Sequence, residues 1–365
     1  MEMAKARMLN SIVQRSLLKI YRTNISRILE DGSVSNLFKI FYRRLFLVCL
    51  LVLGFTIILS NCDWFVDKPI SIASHVWVGY EPMFIADREH WLDAKQVHLI
   101  ETSSVAASLK ALAEGKVQGA ALTLDEMLKA RAQGLPLTAV LIFDISAGAD
   151  MLVVNPSIKK LSDLKGRRIG FEKSSVGELL LVSVLEAAKL TKQDVVLVPL
   201  SVDKHGDAWR NKQVDAVISY EPVASQLLAQ GAVKLLDSRQ IPNKIIDVLA
   251  IRNDMLDQSH ASAIRNLIAA HLRALEYLNH NPQDASYRTA SHLRFPAEGV
   301  MIAFKGLLLL DTASNYQWLA GSSSRLLDTA YKLSAIMVKS GLLKQKDTMS
   351  SLISADFLPS DFQNN

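Results

Sequence analysis

Cysteine is scarce in this sequence, and a hydrophobic run of transmembrane length is absent. Only two of the 365 residues are cysteine, Cys49 and Cys62. This gives little support to disulfides, to a cysteine-based metal site or to a cysteine nucleophile. The apolar run from Leu45 to Leu59 is shorter than the roughly 20 residues that a membrane-spanning helix needs. It has the length of the hydrophobic region of an export signal.

An excess of positive charge is also missing from most of the chain. The formal net charge is +5, but residues 1–44 hold nine Lys and Arg against three Asp and Glu, and the remainder nets to about −1. No basic surface for nucleic acid is therefore expected. The eight histidines are scattered without the spacing of metal ligands, so neither a metal nor a cofactor is predicted. With 50% hydrophobic and 21% charged residues, the chain has the composition of a globular protein.

The N-terminal segment has the order of an export leader. Arg43 and Arg44 precede the apolar run, and Leu59-Ser60-Asn61-Cys62 resembles the lipobox of bacterial lipoproteins, in which the cysteine is lipidated. We therefore interpret residues 1–62 as a positively charged cytoplasmic leader, a signal region and a lipid attachment site at Cys62. The remainder would lie at the periplasmic face of the inner membrane. Two alternatives are an uncleaved signal anchor and an incidental thiol at Cys62.

From Pro69 onward, short β-like runs alternate with amphipathic helical stretches, which predicts an α/β protein with largely parallel sheets. Two successive cycles of this pattern predict two lobes. We expect residues 69–148 to form the first part of lobe I, 149–247 to form lobe II, and 248–365 to return to lobe I and end in helices. The helices expected near the end are Ala261 to His280, Val300 to Leu310 and Arg325 to Ser340.

Four segments, in this order, resemble solute-binding proteins of the nitrate, sulfonate, taurine and thiamine-precursor type. They are WVGYEPMFIA at 77–86, LKALAEGKVQGAA at 109–121, LSDLKGRRIG at 161–170 and QVDAVISYEP at 213–222. The second segment departs from the family pattern, because Gln118-Gly119 stands where Asp is usual. The resemblance covers the chain from about Pro69 to its C-terminus.

The resemblance implies a two-lobed type II periplasmic binding protein fold, in which each lobe is a mainly parallel sheet flanked by helices. It also implies a receptor that closes on a small molecule by a hinge motion, works with an ABC permease and ATPase, and performs no chemistry. Thiamine-pyrimidine synthases share this fold, so an enzyme is one alternative. Another is a membrane-tethered sensor that reports to an envelope signalling partner. Genomic neighbours would discriminate a sensor from a receptor of an importer.

In such receptors the ligand contacts strand ends and helix N-termini between the lobes. The candidate ligand contacts in this sequence are Trp77, Tyr80, Glu81, Thr123, Asp144, Glu172, Ser174, Ser175, Tyr220 and Glu221. Some of these have structural alternatives: Thr123 and Ser175 fit helix caps, Trp77 fits a core position, and both glutamates that precede proline fit helix N-termini.

The candidate contacts are acidic and aromatic, and Lys173 is the one basic residue in the same segments. Four carboxylates would repel a sulfonate or nitrate, whereas carboxylates and aromatic faces favour cations and flat rings. An amine-bearing or nitrogen-heterocyclic ligand is therefore expected, with a sulfonate, taurine or nitrate receptor as the alternative.

Overall fold

The computed structural model describes residues 44–47, 67–173, 176–321 and 324–360. The chain divides into two units, Met1–Phe65 and Val66–Asn365. In the first unit the described residues, Arg44–Leu47, are helical and exposed. The secondary structure that follows belongs to the second unit.

The described strands fall into two sheets. In chain order they are β1 (Ile70–Ser74), β2 (Val97–Glu101), β3 (Gly119–Thr123), β4 (Leu137–Ser146), β5 (Asp150–Val154), β6 (Arg168–Phe171), β7 (Val196–Pro199), β8 (Ala216–Tyr220), β9 (Val233–Asp237), β10 (Ile246–Arg252) and β11 (Leu307–Leu309). The first sheet has the order β11-β4-β10-β3-β1-β2, and the second has the order β7-β6-β8-β5-β9. The first sheet defines lobe I and the second defines lobe II, so the chain crosses between lobes after β4 and after β9.

The described α-helices flank these sheets. In chain order they are α1 (Glu81–Arg88), α2 (Val105–Ala113), α3 (Leu124–Ala132), α4 (Val176–Ala188), α5 (His205–Arg210), α6 (Val223–Ala229), α7 (Gln258–His280), α8 (Pro282–Leu293), α9 (Ala297–Phe304), α10 (Thr312–Leu319) and α11 (Arg325–Lys339). This architecture confirms the predicted α/β fold class.

The sheets are mixed rather than mainly parallel. In lobe I, β1 pairs in parallel with β2 and β3, whereas β10 is antiparallel to β3 and β4. In lobe II, β6 is parallel to β7 and β8, whereas β5 is antiparallel to β8 and β9. The antiparallel strands β5 and β10 are those that follow a crossover between lobes. A strand that enters a sheet from the other lobe has no crossover helix of its own, so its direction is not forced to be parallel.

The helix α7 in the C-terminal third has a capped N-terminus and a buried apolar face. Asp257 caps its N-terminus by accepting hydrogen bonds from the backbone N–H groups of Ser259 and His260. Buried apolar residues recur at helical spacing, among them Ile264, Leu267 and Ile268. The predicted helix from Ala261 to His280 is thus confirmed.

The expectation of one helix over Val300 to Leu310 was wrong in its second half. The helix α9 ends at Phe304, and Leu307–Leu309 form the edge strand β11 against β4. Consecutive leucines fit a helix and a buried strand equally well, so periodicity alone could not separate them. The helices α8 and α10 were not anticipated.

A buried asparagine continues the hydrogen bonding of β4 where β11 stops. The β11 strand pairs with β4 from Asp144 to Ser146. Beyond that point the Asn315 side chain, which is fully buried, accepts from the backbone N–H of Ile142 at 2.7 Å and donates to its carbonyl at 3.1 Å. A side chain from α10 therefore satisfies backbone groups that a neighbouring strand would otherwise bond.

We expect Asn315→Ala to lower the free energy of unfolding by about 2 kcal/mol, because it leaves buried backbone groups of Ile142 without partners. Denaturant unfolding would measure this loss. Gln317→Ala, an exposed position on the same helix, is the control. Equal stability of the two variants would contradict this role for Asn315.

Candidate functional site

Strand register brings polar side chains together at one end of the lobe I sheet. Asp247 lies between two neighbours, because it is paired with Thr123 at the end of β3 and with Asp144 near the end of β4. His75 follows the last residue of β1, which runs parallel to β3. The carboxyl ends of β1, β3 and β4 and the start of β10 thus present their side chains at the same edge.

The lobe II sheet does the same from the other side. Asp150 at the start of β5 is paired with Tyr220 at the end of β8, and Glu172 directly follows β6. The Tyr220 hydroxyl donates to the Glu172 carboxylate at 3.2 Å. These residues lie close to the two crossovers, so the polar strand ends of both sheets face one cavity.

This cavity, which we call the cleft, is narrow. Its volume is about 10 Å³, which is room for about one water molecule. Both lobes contribute to its walls, which are formed by His75, Trp77, Val105, Thr123, Glu126, Asp150, Val176, Tyr220, Ile245 and Asp247. The lobes are therefore closed on each other in this conformation.

Aromatic rings close the cleft edge to face. The Trp77 ring of lobe I lies 5.6 Å from the Tyr220 ring of lobe II, at an interplanar angle of 78°. His75 is in similar contact with Tyr80 at 5.5 Å and with Tyr220 at 6.4 Å. Such flat apolar walls with polar tips suit a ring or a cationic group.

Carboxyl groups are concentrated and buried around the cleft. Burial raises the pKa of Asp144 to about 8, although the Trp77 indole N–H, at 3.0 Å, opposes the shift. Burial likewise raises the pKa of Asp150 to about 7, and the charges of Asp125 and Glu221 add to the effect. The pKa values of Glu126 and Asp247 are also raised, chiefly by burial and then by the neighbouring carboxylates Asp125 and Asp144.

Several of these buried atoms have no hydrogen-bond partner. They are Asp144 Oδ1, Asp150 Oδ2, Asp247 Oδ2 and His75 Nδ1. Burial also lowers the pKa of His75 to about 4, so its ring is neutral near pH 7. A buried polar atom without a partner costs free energy, which indicates that a further group completes the site.

The structure brings most of the predicted site residues to the cleft or to its lining. Trp77, Thr123 and Tyr220 line it. Asp144 accepts from Trp77, Tyr80 donates to Asp247, and Glu172 accepts from Tyr220, so these three hold lining residues in place. The Thr123 hydroxyl donates to Asp125 at 2.7 Å, and the Glu126 carboxylate accepts from the Thr123 backbone at 2.9 Å.

Two predicted residues engage other partners. The buried Glu81 carboxylate contacts His292 on α8 and lies 3.6 Å from Arg88. The Glu221 carboxylate accepts from the backbone and hydroxyl of Ser225 at the start of α6. Neither is among the residues that line the cleft. The predicted contacts Ser174 and Ser175 and the predicted lipidation site Cys62 lie outside the described residues.

Sequence reasoning missed His75, Glu126 and Asp247 as site residues. His75 directly follows the strand β1, a position that could have marked it. Glu126 was interpreted as part of a helix cap, which it is, but its carboxyl also lines the cleft. Asp247 reaches the cleft because β10 pairs in the antiparallel direction with β3, and the sequence did not predict this pairing.

A larger groove of about 810 Å³ lies along the edge strand β11 of lobe I and the helix α10. Its walls include Leu308, Phe304 and Trp318, with no buried carboxyl group among the lining residues. We therefore take the cleft as the candidate site. Within the described ranges, no group of three His, Cys, Asp or Glu side chains is arranged to hold a metal ion. No helix in the described part of the chain is long and apolar enough to cross a membrane.

The profile of the family described as NMT1/THI5-like matches residues 82–285, more than half of the chain. The chain belongs to this family. The match includes β2 to β10 and therefore most of the cleft. It confirms the resemblance seen in the sequence.

Several relatives are named as binding proteins for small solutes. The taurine-binding periplasmic protein of Escherichia coli K12 is 26% identical over 182 residues, which cover 49% of this chain and 56% of that protein. The alkanesulfonate-binding protein SsuA from Xanthomonas axonopodis pv. citri, bound to MOPS, has a TM-score of 0.67 at 17% identity, over 79% of this chain and 99% of that one.

A desulfurization enzyme, DSZB, has the same fold, with a TM-score of 0.58 at 18% identity over 79% of this chain and 97% of that one. The chain spans about half the length of the curated relatives it matches. The structural likeness establishes the two-lobed fold.

We expect Asp144→Asn to stabilise the chain without ligand at pH 8, by about 1 to 3 kcal/mol. A carboxyl whose pKa is raised by folding contributes most stability below its unfolded value, near pH 4, and loses that contribution as the pH rises through about 8. Asparagine keeps an acceptor for Trp77 but carries no charge. Melting temperatures at pH 4 and pH 8 would measure the gain, which should vanish at pH 4. Asp87→Asn, at an exposed position, is the control, and a gain of equal size at both pH values would contradict the argument.

Proposed function

We propose that this protein is an extracytoplasmic solute-binding protein of an ABC importer that captures a small organic cation, such as an amine or a protonated nitrogen heterocycle. The observation that carries this proposal is the composition of the cleft. Both lobes place buried carboxyl groups around it, and no Lys or Arg is among its described lining residues. Buried carboxylates require a positive partner, and a cation between the lobes supplies one.

The aromatic walls support the same ligand class. Trp77 and Tyr220 approach each other from opposite lobes, so a flat or cationic group bound between them would contact both rings. The unpartnered His75 Nδ1, on a neutral ring, offers a further hydrogen bond to a nitrogen-bearing ligand. We propose Trp77, Thr123 and Tyr220 as contacts. Asp144 positions Trp77, Glu172 positions Tyr220, and Tyr80 positions the lining residue Asp247. The sequence also nominated Glu81, Ser174, Ser175 and Glu221, which stay predictions.

The mechanism that we propose is hinge closure between the lobes, with no chemical step. The two crossovers, between β4 and β5 and between β9 and β10, are tied together where Ser146 and Ser238 share a hydrogen bond of 2.7 Å. The ligand would bridge the lobes and stabilise the closed form, which would then dock on the permease and its ATPase. The lobe boundaries that we propose are 69–148, 149–245 and 246–365, in which the second crossover ends two residues earlier than the sequence predicted, because β10 of lobe I begins at Ile246.

We propose that residues 1–62 are a leader and that Cys62 carries the lipid that holds the protein at the periplasmic face of the inner membrane. The order of basic residues, apolar run and lipobox-like sequence supports this. An uncleaved signal anchor would give the same location.

A second candidate is a receptor for sulfonates or taurine, because relatives are named for these ligands. Taurine carries an amine as well as a sulfonate, so its ammonium group could meet the carboxyl groups of the cleft. A sulfonate without an amine lacks this possibility and would face repulsion.

A thermal-shift screen of the full chain in mild detergent would test the ligand class. Organic cations at a hundredfold excess over their dissociation constant should stabilise the protein by about 2.7 kcal/mol, and alkyl sulfonates without an amine should not. Asp150→Asn combined with Asp247→Asn should abolish the shift, whereas Asp87→Asn should retain it. A shift with sulfonates or nitrate alone would keep a receptor function and overturn the cationic ligand.

Metabolic labelling with a radioactive fatty acid would test the anchor. We expect label on the wild-type chain and none on Cys62→Ser, with Cys49→Ser as the matched control that stays labelled. Label on Cys62→Ser, or none on the wild type, would contradict lipid attachment at Cys62.

A further inference from the structure

Closure of the cleft brings several carboxyl groups together away from water, and the hinge motion by itself supplies no positive charge to neutralise them. Lobe I contributes Glu126, Asp144 and Asp247, and lobe II contributes Asp150, each at least 95% buried. Three of their oxygens have no partner, and the cavity has room for about one water molecule. Four negative charges brought together without water or a cation would repel one another strongly. Bringing the two lobes together therefore requires that positive charge enter with closure.

We propose that the empty cleft closes by taking up protons on these carboxyl groups, and that the cation replaces the protons when it binds. This inference rests on the proposed function for its second half only. Protonated carboxyl groups are neutral, and each gains a donor, so a set of them can be buried together. A bound cation would instead neutralise ionised carboxylates. Protons and cation thus compete for one closed state.

The groups that face these carboxyls do not offer another source of positive charge. Tyr80 donates to Asp247, and burial raises its pKa, so it stays a neutral phenol. The pKa of Tyr220 is raised for the same reason, and that of His75 is lowered by burial, so both are neutral near pH 7. The remaining acidic neighbours, Asp125, Glu172 and Glu221, add negative charge when ionised.

Two described lysines that act on the acidic neighbours already have carboxylate partners. Lys129, which acts on Asp125, bonds Glu178 of lobe II at 2.8 Å. Lys234, which acts on Glu221, lies 2.9 Å from Asp237. No Lys or Arg is among the described residues that line the cleft, so protons from the solvent can supply positive charge there before a cation binds.

The direction of the pH effect follows from these surroundings. The pKa values of Asp144 and Asp150, about 8 and about 7 in the closed form, are raised by burial. Opening exposes the groups to water and returns their pKa values toward the ordinary range near 4. Acid therefore favours the closed, empty form, and alkaline conditions favour the open form.

Closure of the ligand-free chain can be followed through Trp77. Its ring is 4% exposed and packs against Tyr220 of the other lobe, so opening would expose it to water. We expect its emission to shift to shorter wavelength, and its quenching by acrylamide to fall, as the pH of the full chain is lowered from 9 to 5. The difference between the wild type and Trp77→Phe isolates this signal from the other tryptophans.

The variants make the test specific. Asp144→Asn with Asp150→Asn removes two charges that oppose closure, so Trp77 should stay shielded across the whole pH range, whereas Asp87→Asn should behave as the wild type. Glu126→Gln should move the transition to higher pH, which provides a second test if the double variant fails to fold. A wild-type signal that does not change with pH, or a transition that is unaltered in the variants, would overturn the proposal.

Calorimetry with a cation that raises the melting temperature tests the exchange. Between pH 8 and pH 6 the affinity should fall about tenfold per pH unit for each proton displaced, and heats in buffers of different ionisation enthalpy should count those protons. Binding without pH dependence would overturn the exchange and leave the proposed function intact. Acid-driven closure without binding of any cation would support the uptake of protons and overturn the proposed ligand class instead.

Discussion

The burial of carboxyl groups from two lobes against one another is the constraint on which the rest of this structure depends. Asp144 and Asp247 are adjacent on neighbouring strands of lobe I, and Asp150 faces them from lobe II. Charged groups of one sign do not stay buried together unless something neutralises them. The fold can hold them at a common edge because the surrounding sheets supply enough apolar burial, including a β4 strand whose ten residues are all buried.

This constraint connects the sheet topology with the properties of the site. A mixed sheet lets β10 enter between β3 and β4, which places Asp247 beside both Thr123 and Asp144. In an all-parallel sheet the same aspartate, at the start of its strand, would lie at the opposite edge. The antiparallel strands β5 and β10, which follow the two crossovers, therefore bring the acidic residues together and also belong to the proposed hinge. The short polar contact between Ser146 and Ser238 lies where both crossovers meet.

Much of the fold could be predicted from the sequence, because its signals are local. The helix α11 begins at Arg325, as the pattern indicated, and ends one residue before the predicted end, and α7 differs from the prediction at its N-terminal end alone. Strand direction could not be predicted, since pairing with a distant strand leaves no mark in the residues of β5 or β10. The edge strand β11 was missed because three leucines after a helix resemble a continuation of that helix.

The candidate site was predictable to the extent that it follows strand ends. Trp77 begins one family-like segment, Thr123 and Tyr220 lie near the ends of two others, and all three line the cleft. Glu81 and Glu221 look similar in sequence, but their carboxylates bond to His292 and Ser225. A residue's position along the chain indicates which edge it reaches, whereas its direction there depends on neighbours that only the folded structure provides.

The tight packing behind Trp77 affects how much side-chain entropy this residue would lose on binding a ligand. A Cβ atom on Gly79 would lie 1.9 Å from Asp144 Oδ2 and 2.5 Å from the Trp77 indole nitrogen, so only glycine leaves room for the bond between these two side chains. That bond is made entirely within lobe I. The indole is therefore oriented before any solute arrives, and little side-chain entropy remains to be lost on binding. Selectivity in this half of the proposed site would come from a rigid surface rather than from adjustment to each ligand.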